Sequence, residues 1–269
     1  MIDVIKQQFT EAMPRHVRLN KTREFLQVLC LKITGDRSLF DRVAFLGGTA
    51  LRMMFQLRRF SEDLDFSVLK AGDIDVAALS AEFVKDLRLY GFETEAKVQT
   101  VGAVRSIMFK FPGLLKELGL SALKDEKLAI KWDVDTNPPQ GGVSVSGMMS
   151  RYFTFRVVHY DLPSLFARKL HACLFRKYAK GRDWYDFIWY VSKKVRPNLT
   201  LLKNAVLQTE KKDLEINETG LGDFLIASIK RVDFKMLRKD VERFLEDPAE
   251  LSIFDRDAIT QTIRNNYAV

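Results

Sequence analysis

The 269-residue chain is 47% hydrophobic and 29% charged, a balance that fits a globular protein with a packed core and not a disordered or fibrous chain. Its formal charge of +8 favours a polyanionic partner through phosphate contacts, although a generic basic surface fits that total equally well. Two cysteines, Cys30 and Cys173, are too few for a disulfide framework or a zinc site and read as buried thiols. No apolar run approaches the ~20 residues of a membrane helix, and the N-terminal residues lack a signal-peptide core, so no membrane is expected and the cytoplasm is the expected location.

Apolar spacing predicts helices over 3–12 and 17–34, the second with a stripe through Phe25, Leu26, Val28, Leu29 and Ile33. Val43 to Leu46 reads as a short buried strand, and Thr49 to Gln56 as a helix entered through Gly47-Gly48. Next, Leu64, Phe66 and Val68 alternate with Asp63, Asp65 and Ser67, the pattern of a half-buried strand with its acids on the open face. Asp75 to Tyr90 is an amphipathic helix, with an apolar row at Val76, Leu79, Phe83 and Leu87. Strand signals return at 92–100, 104–111 and 128–134. The prolines and glycines of Asn137–Gly142 can continue neither a helix nor a central strand, and a strand pair over 143–146 and 152–158 follows. From Asp161, with Pro163 placed for a first helical turn, the periodicity is helical. The expected class is α+β: a mixed twisted sheet with flanking helices, followed by a C-terminal helical bundle, joined near residue 160.

Three segments carry candidate chemistry. Gly47-Gly48 opens a helix and offers backbone N–H groups to a phosphate; taken alone such a pair is more often a tight turn. The Thr49 hydroxyl could cap that helix or touch a phosphate, and Arg52 lies one turn further on. Asp63 and Asp65 point the same way from their strand, while Leu64 and Phe66 commit the other face to the core. A lone pair of alternating acids is usually a solvated strand edge. Beside a glycine turn, it reads as a site for Mg²⁺ or Mn²⁺, ions held by carboxylates and by the phosphates of a nucleoside triphosphate. The third segment, Leu128 to Thr136, again carries alternating acids. Asp133 or Asp135 would be a further metal ligand or general base; Asp133 is favoured because it lies further inside the strand, and Asp135 suits a cap on the Asn137 turn. His16, His159 and His171 are too scattered for a metal cluster.

Glycine cradle and paired acids together resemble the nucleotidyltransferase superfamily of the DNA polymerase β type. GGTALR, RFSEDLDF, WDVDTNPP and a lysine-bearing helix ending in GRDWYDF follow one another in the order seen in one branch of it, the AbiEii-type (AbiEii/AbiGii, MenT-like) toxins of abortive-infection toxin–antitoxin systems. The likeness runs from about Phe45 to Tyr190. It implies a polymerase β-type nucleotidyltransferase domain with N-terminal helices over 1–160, and a helical domain over 161–269 completing the active-site cleft. It also implies that Lys169 holds the nucleotide's phosphates and that Asp183, in the RDxxD block, orients Lys169 or ligates metal. A rival reading makes Asp183 the helix cap with Asp186 as its partner. Catalytic candidates are therefore Asp63, Asp65, Asp133, Lys169 and Asp183, with Asp63, Asp65 and Asp133 as metal ligands. Gly47, Gly48, Thr49, Arg52, Ser61, Lys169 and Arg182 are the candidate nucleotide contacts.

What the resemblance implies is a metal-dependent toxin that transfers NMP from an NTP to RNA with release of pyrophosphate. The implied acceptor is the tRNA 3′ end, so that translation is blocked, and a cognate antitoxin is the implied partner. Arg168, Arg176, Lys177, Lys180 and Arg182 would track an RNA backbone. The same carboxylates would equally serve transfer to a small molecule or a protein. A catalytically silent NTP- or RNA-binding module is the reading from another class.

Overall fold

The computed structural model describes residues 1–70, 74–123 and 125–267, and the chain divides into two compact units. The first unit comprises 1–55, 60–138 and 145–159. It begins with α1 (Ile2–Lys6) and α2 (Arg15–Asp36), followed by β1 (Val43–Leu46), α3 (Gly47–Phe55), β2 (Asp63–Val68) and α4 (Val76–Leu89). β3 (Glu95–Gln99), β4 (Val104–Phe111), α5 (Leu114–Glu117), β5 (Leu128–Asp135), β6 (Ser144–Arg151) and β7 (Phe153–Tyr160) complete the sheet region.

The seven strands form one mixed sheet in the order β3-β4-β5-β2-β1-β7-β6. β1 runs antiparallel to β2 and parallel to β7, while β2 runs parallel to β5. Its central position explains why all four residues of β1 are buried. β5 alternates instead: Leu128, Ile130, Trp132 and Val134 are buried, and Ala129, Lys131, Asp133 and Asp135 half-buried. Trp132, whose role is unreadable from its neighbours in sequence, anchors the core. It stacks on Phe66 with ring centroids 4.7 Å apart, and its indole N–H donates to the Thr34 hydroxyl at 3.4 Å. α2 covers this core with Phe25, Leu26, Val28, Leu29 and Ile33.

Four elements differ in their bounds from the sequence expectation. The first helix is only Ile2–Lys6, and α2 starts early because Pro14, with its fixed φ, stands at its N-cap. β3 is trimmed to Glu95–Gln99, since the Thr94 hydroxyl donates to the Phe92 carbonyl at 2.9 Å and turns the chain before the ladder begins. β6 runs on past the expected end at 146 to Arg151, through Gly147. A Cβ at Gly147 would stand 2.8 Å from Met54 Cε and 2.9 Å from His159 Nε2, so the strand needs glycine there for close approach.

The second unit comprises 56–59, 139–144 and 160–269. Its helices are α6 (Leu162–Phe175), α7 (Gly181–Ser192), α8 (Leu199–Glu210), α9 (Leu221–Ile229), α10 (Phe234–Val241) and α11 (Arg256–Tyr267). The Asp161 carboxylate caps α6 by accepting from Ser164 N at 2.9 Å, and Pro163 sits in the first turn. α6 packs on α7 and α8, and α7 is flanked by α10 and α11. The fold is α+β, as expected, with a mixed sheet and flanking helices.

Candidate active site

In the first unit the candidate site is a patch on one face of the sheet. Parallel pairing sets Asp63 beside Lys131 and Asp65 beside Asp133, so these four side chains form two adjacent rungs across β2 and β5. All four are half-buried, while Leu64, Phe66, Trp132 and Val134 face the core behind them. The glycine turn closes on the same patch. Gly47 begins α3 with φ +81°, a left-handed conformation that suits glycine, and a Cβ there would lie 2.2 Å from Asp65 Oδ2. The absence of a side chain at residue 47 is thus what gives the Asp65 carboxylate its place.

The third acid is held from one side only. Lys131 Nζ donates to Asp133 Oδ2 at 2.5 Å, whereas Asp133 Oδ1 is buried and meets no protein donor. Asp135 is used differently, accepting from the backbone N–H of Asn137 at 3.1 Å as a turn cap does. Burial opposes the charge on Lys131 most strongly. Asp133, with Asp63 and Asp65 acting through space, outweighs that effect and holds its pKa above the ordinary lysine value.

Among the described residues, no three His, Cys, Asp or Glu side chains are grouped so as to hold a metal ion by themselves. The donor set suits another kind of site. Hard carboxylate oxygens on a common face, one of them buried without a protein partner, fit an Mg²⁺-type ion that is bound partly by the substrate's own phosphates.

Two proposed nucleotide contacts of this unit have other roles. Thr49 is fully buried and its hydroxyl donates to the Asp63 carbonyl, tying α3 to the head of β2. Arg52 is buried against the Phe60 ring, 4.3 Å away, and donates to both oxygens of Glu24 at 3.1 and 2.9 Å. Its guanidinium belongs to a buried ion pair. Ser61 is half-buried, and its carbonyl accepts from Gln27 at 3.1 Å.

The second unit contains a buried charge cluster. Lys169 Nζ, on α6, donates to Asp183 Oδ1 at 2.8 Å and forms an ion pair with Asp186 Oδ2 at the same distance. Arg59 meets Asp186 in a two-pronged bond, Nε to Oδ1 and Nη2 to Oδ2, each 2.6 Å. Arg176 Nη1 donates to the remaining Asp183 oxygen. Burial raises the pKa of Asp183, but Lys169 and Arg176 more than offset it and hold the carboxyl below its usual range. Burial likewise works against the Lys169 charge, and Asp183 and Asp186 reverse it, so the ammonium is held well above the ordinary lysine value. Asp183 is not the helix cap. Lys180 is the N-cap residue and makes no capping bond with its own side chain, and the first helical N–H, of Gly181, is met by Asp240 Oδ2 at 2.6 Å. Asp183 and Asp186 instead turn toward Lys169 from successive turns of α7. Arg182 lies over the Phe244 ring at 4.2 Å, and His171 bonds Thr209 Oγ1 at 2.8 Å.

Lys131 and Arg59 are the participants that sequence reasoning missed, while Asp186 and Arg176 had been given other roles, as a capping partner and an RNA contact. Lys131 had a signal, since it shares the two-residue period of Asp133. Arg59 had none, because its partner is 127 residues away.

The family model described as the nucleotidyl transferase AbiEii toxin of a type IV toxin–antitoxin system matches residues 31–257. Among solved structures, a Helicobacter pylori protein provisionally named a nucleotidyltransferase is similar in fold, with TM-score 0.52 and 19% identity over 89% of this chain and 94% of that one. The H. pylori protein JHP933 gives TM-score 0.45 and 17% identity over 89% and 93% of the two chains. No curated protein matches.

Proposed function

The chain belongs to the AbiEii family of nucleotidyltransferase toxins of type IV toxin–antitoxin systems, and from that premise we propose that it transfers NMP from an NTP to an RNA hydroxyl, the tRNA 3′ end being the favoured acceptor. A bond forms between the acceptor oxygen and the α-phosphorus, the bond to pyrophosphate breaks, and the acceptor proton passes to a base. The outcome is a blocked tRNA and arrested translation, relieved by the antitoxin that a type IV system implies. No described helix is long and apolar enough to cross a membrane, in keeping with action on cytoplasmic tRNA.

Each residue has a role in this reading. The backbone at Gly47 and Gly48 receives phosphate oxygens at the start of α3. Asp63 and Asp65, with Asp133, would hold Mg²⁺ or Mn²⁺, which when bound neutralises triphosphate charge and sharpens the electrophile. Asp133 also stands as the acceptor's general base, with Oδ1 the available atom. Lys169 steadies the triphosphate. One of its three donors is held by Asp183, and the nearby Asp186 carboxylate helps to aim the ammonium. Asp183 and Asp186 are thus positioning residues.

The observation that carries the proposal is the juxtaposition of Gly47, Asp65 and Asp133, a phosphate cradle against two facing carboxylates. The exposed Lys177 and Lys180, with Arg168, Arg176 and Arg182, support an RNA acceptor. The test is incubation of purified protein with each labelled NTP and total tRNA, beside Asp65→Ala. Label in tRNA that disappears in the variant is expected. Label in protein or in a small molecule, or equal label from the variant, overturns the proposal.

A further inference from the structure

Three carboxylates share the open face of β2 and β5, and the fourth member of the patch is a lysine. Lys131 is paired with Asp63 across the ladder, and lies two residues before Asp133 on its own strand. Its other ladder neighbour, on β4, is Met108, and that of Asp133 is Ser106, neither of which carries charge. Lys131 Nζ grips one Asp133 oxygen at 2.5 Å and leaves the other, buried, without a protein donor. Its side chain is 35% exposed, so a path to solvent is open to it, whereas Asp133 is 14% exposed and fixed.

We propose that Lys131 is a tethered counter-ion of the catalytic face: while no nucleotide is bound its ammonium sits on one oxygen of Asp133 and opposes a divalent ion that would bind the other. The proposal rests on the metal role given above to Asp63, Asp65 and Asp133. Its physical basis is Coulombic. Three carboxylates on adjacent rungs repel one another and are costly to half-bury, and a lysine among them balances part of that charge. A cation arriving alone must compete with an ammonium that is covalently attached. A cation carried by a triphosphate competes on better terms, because the phosphates supply further oxygen ligands and attract the released ammonium. Lys131 thereby makes metal loading conditional on nucleotide. It is a positioning residue in the empty face and a second phosphate-seeking cation in the loaded one.

Mn²⁺ binding followed by the electron paramagnetic resonance of the free ion tests this without any turnover. In the absence of nucleotide, Lys131→Met is expected to bind Mn²⁺ on the order of tenfold tighter than wild type, since a positive charge a few ångströms from the ion has been removed. Lys131→Arg, which keeps the charge, is expected to stay as weak as wild type. Adding a non-hydrolysable NTP analogue should narrow the gap between Lys131→Met and wild type to within about threefold. Thermal melting establishes that each variant is folded, and Lys131→Gln replaces the methionine variant should that one misfold. A folded Lys131→Met that binds Mn²⁺ no tighter than wild type overturns the counter-ion role while leaving the transferase reading intact. Failure of wild type to bind Mn²⁺ even with the analogue overturns both.

Discussion

Replacing Gly47 with alanine probes the site at the point where backbone and catalytic carboxylate meet. The new Cβ would start 2.2 Å from Asp65 Oδ2, 3.0 Å from Cγ and 3.1 Å from Cβ, so the whole carboxylate is in its way. Regaining a tolerable contact requires Asp65 to retreat by roughly 1 Å, and a displacement of that size in a reacting group can cost on the order of a hundredfold in rate. The same residue has φ +81°, so alanine also adds backbone strain of about 1–2 kcal/mol. These effects can be separated, because Gly91 has φ +88° with nothing within 4 Å of its Cβ position. Gly91→Ala should therefore show the strain without the collision. Expected are similar losses of unfolding midpoint for the two variants, and an about hundredfold loss of labelled-nucleotide transfer in Gly47→Ala alone. Transfer in Gly47→Ala within twofold of wild type would refute the claim that this contact sets Asp65.

The Asp186 carboxylate is fully buried and serves both Arg59 and Lys169, so Asp186→Asn should destabilise the protein by about 3–5 kcal/mol, read from urea midpoints; a loss under 1 kcal/mol would contradict the buried pairing. Asp183 is held below the usual carboxylate range, so its share of stability is complete above pH ~4 and is lost as pH falls through the lower folded value. Lys169, held above the lysine range, contributes fully below pH ~10.4 and loses its share as pH rises beyond that. Midpoints measured from pH 2 to 8 should fall on the acid side, and Asp183→Asn should flatten that limb. Thr49→Val keeps the shape of the side chain and removes the bond to the Asp63 carbonyl. About 1–3 kcal/mol of stability should go while the KM for NTP stays within twofold, and a raised KM with unchanged stability would return Thr49 to the nucleotide.

Spacing carried much of the architecture and half of the site. Period-two alternation placed Asp63, Asp65 and Asp133 on a common open face, because the pleat alone decides which way a strand residue points. The register that sets Asp65 against Asp133 is not in either segment. It depends on how β2 and β5 pair across 60-odd intervening residues, which no local pattern encodes. The same distinction explains Thr49 and Arg52. Both are polar residues in the first turns of a helix that follows a glycine pair, where a phosphate contact is chemically reasonable. Their real partners, the Asp63 carbonyl and Glu24, come from a strand and a helix that only the folded chain brings near. The pairing of Arg59 with Asp186 was hidden for the same reason, each residue sitting inside a recognisable block whose neighbours drew the attention. The short estimate of β6 has another cause: its continuation through Gly147 rests on close packing against Met54 and His159, which no local pattern shows.

The charge cluster around Lys169 poses a question for the proposed function, since a lysine assigned to a triphosphate would not be expected to be surrounded by acids. Lys169 is 12% exposed, and burial by itself would push such an ammonium toward neutrality. A neutral amine would neither attract nor hold a triphosphate. Asp183 and Asp186 remove that danger, keeping the side chain charged at every pH at which a cell operates. They do not cancel its charge, because Arg59 and Arg176 bond the same two carboxylates. Three cations against two anions leave one positive charge in excess, held on a lysine whose direction is fixed from two sides. Dipoles and charges already oriented before the reaction cost nothing to reorganise during it. The RDxxD block is therefore a clamp on a lysine: Asp183 and Asp186 hold its ammonium in place and keep it charged, and under the proposed function they would act on the substrate through it.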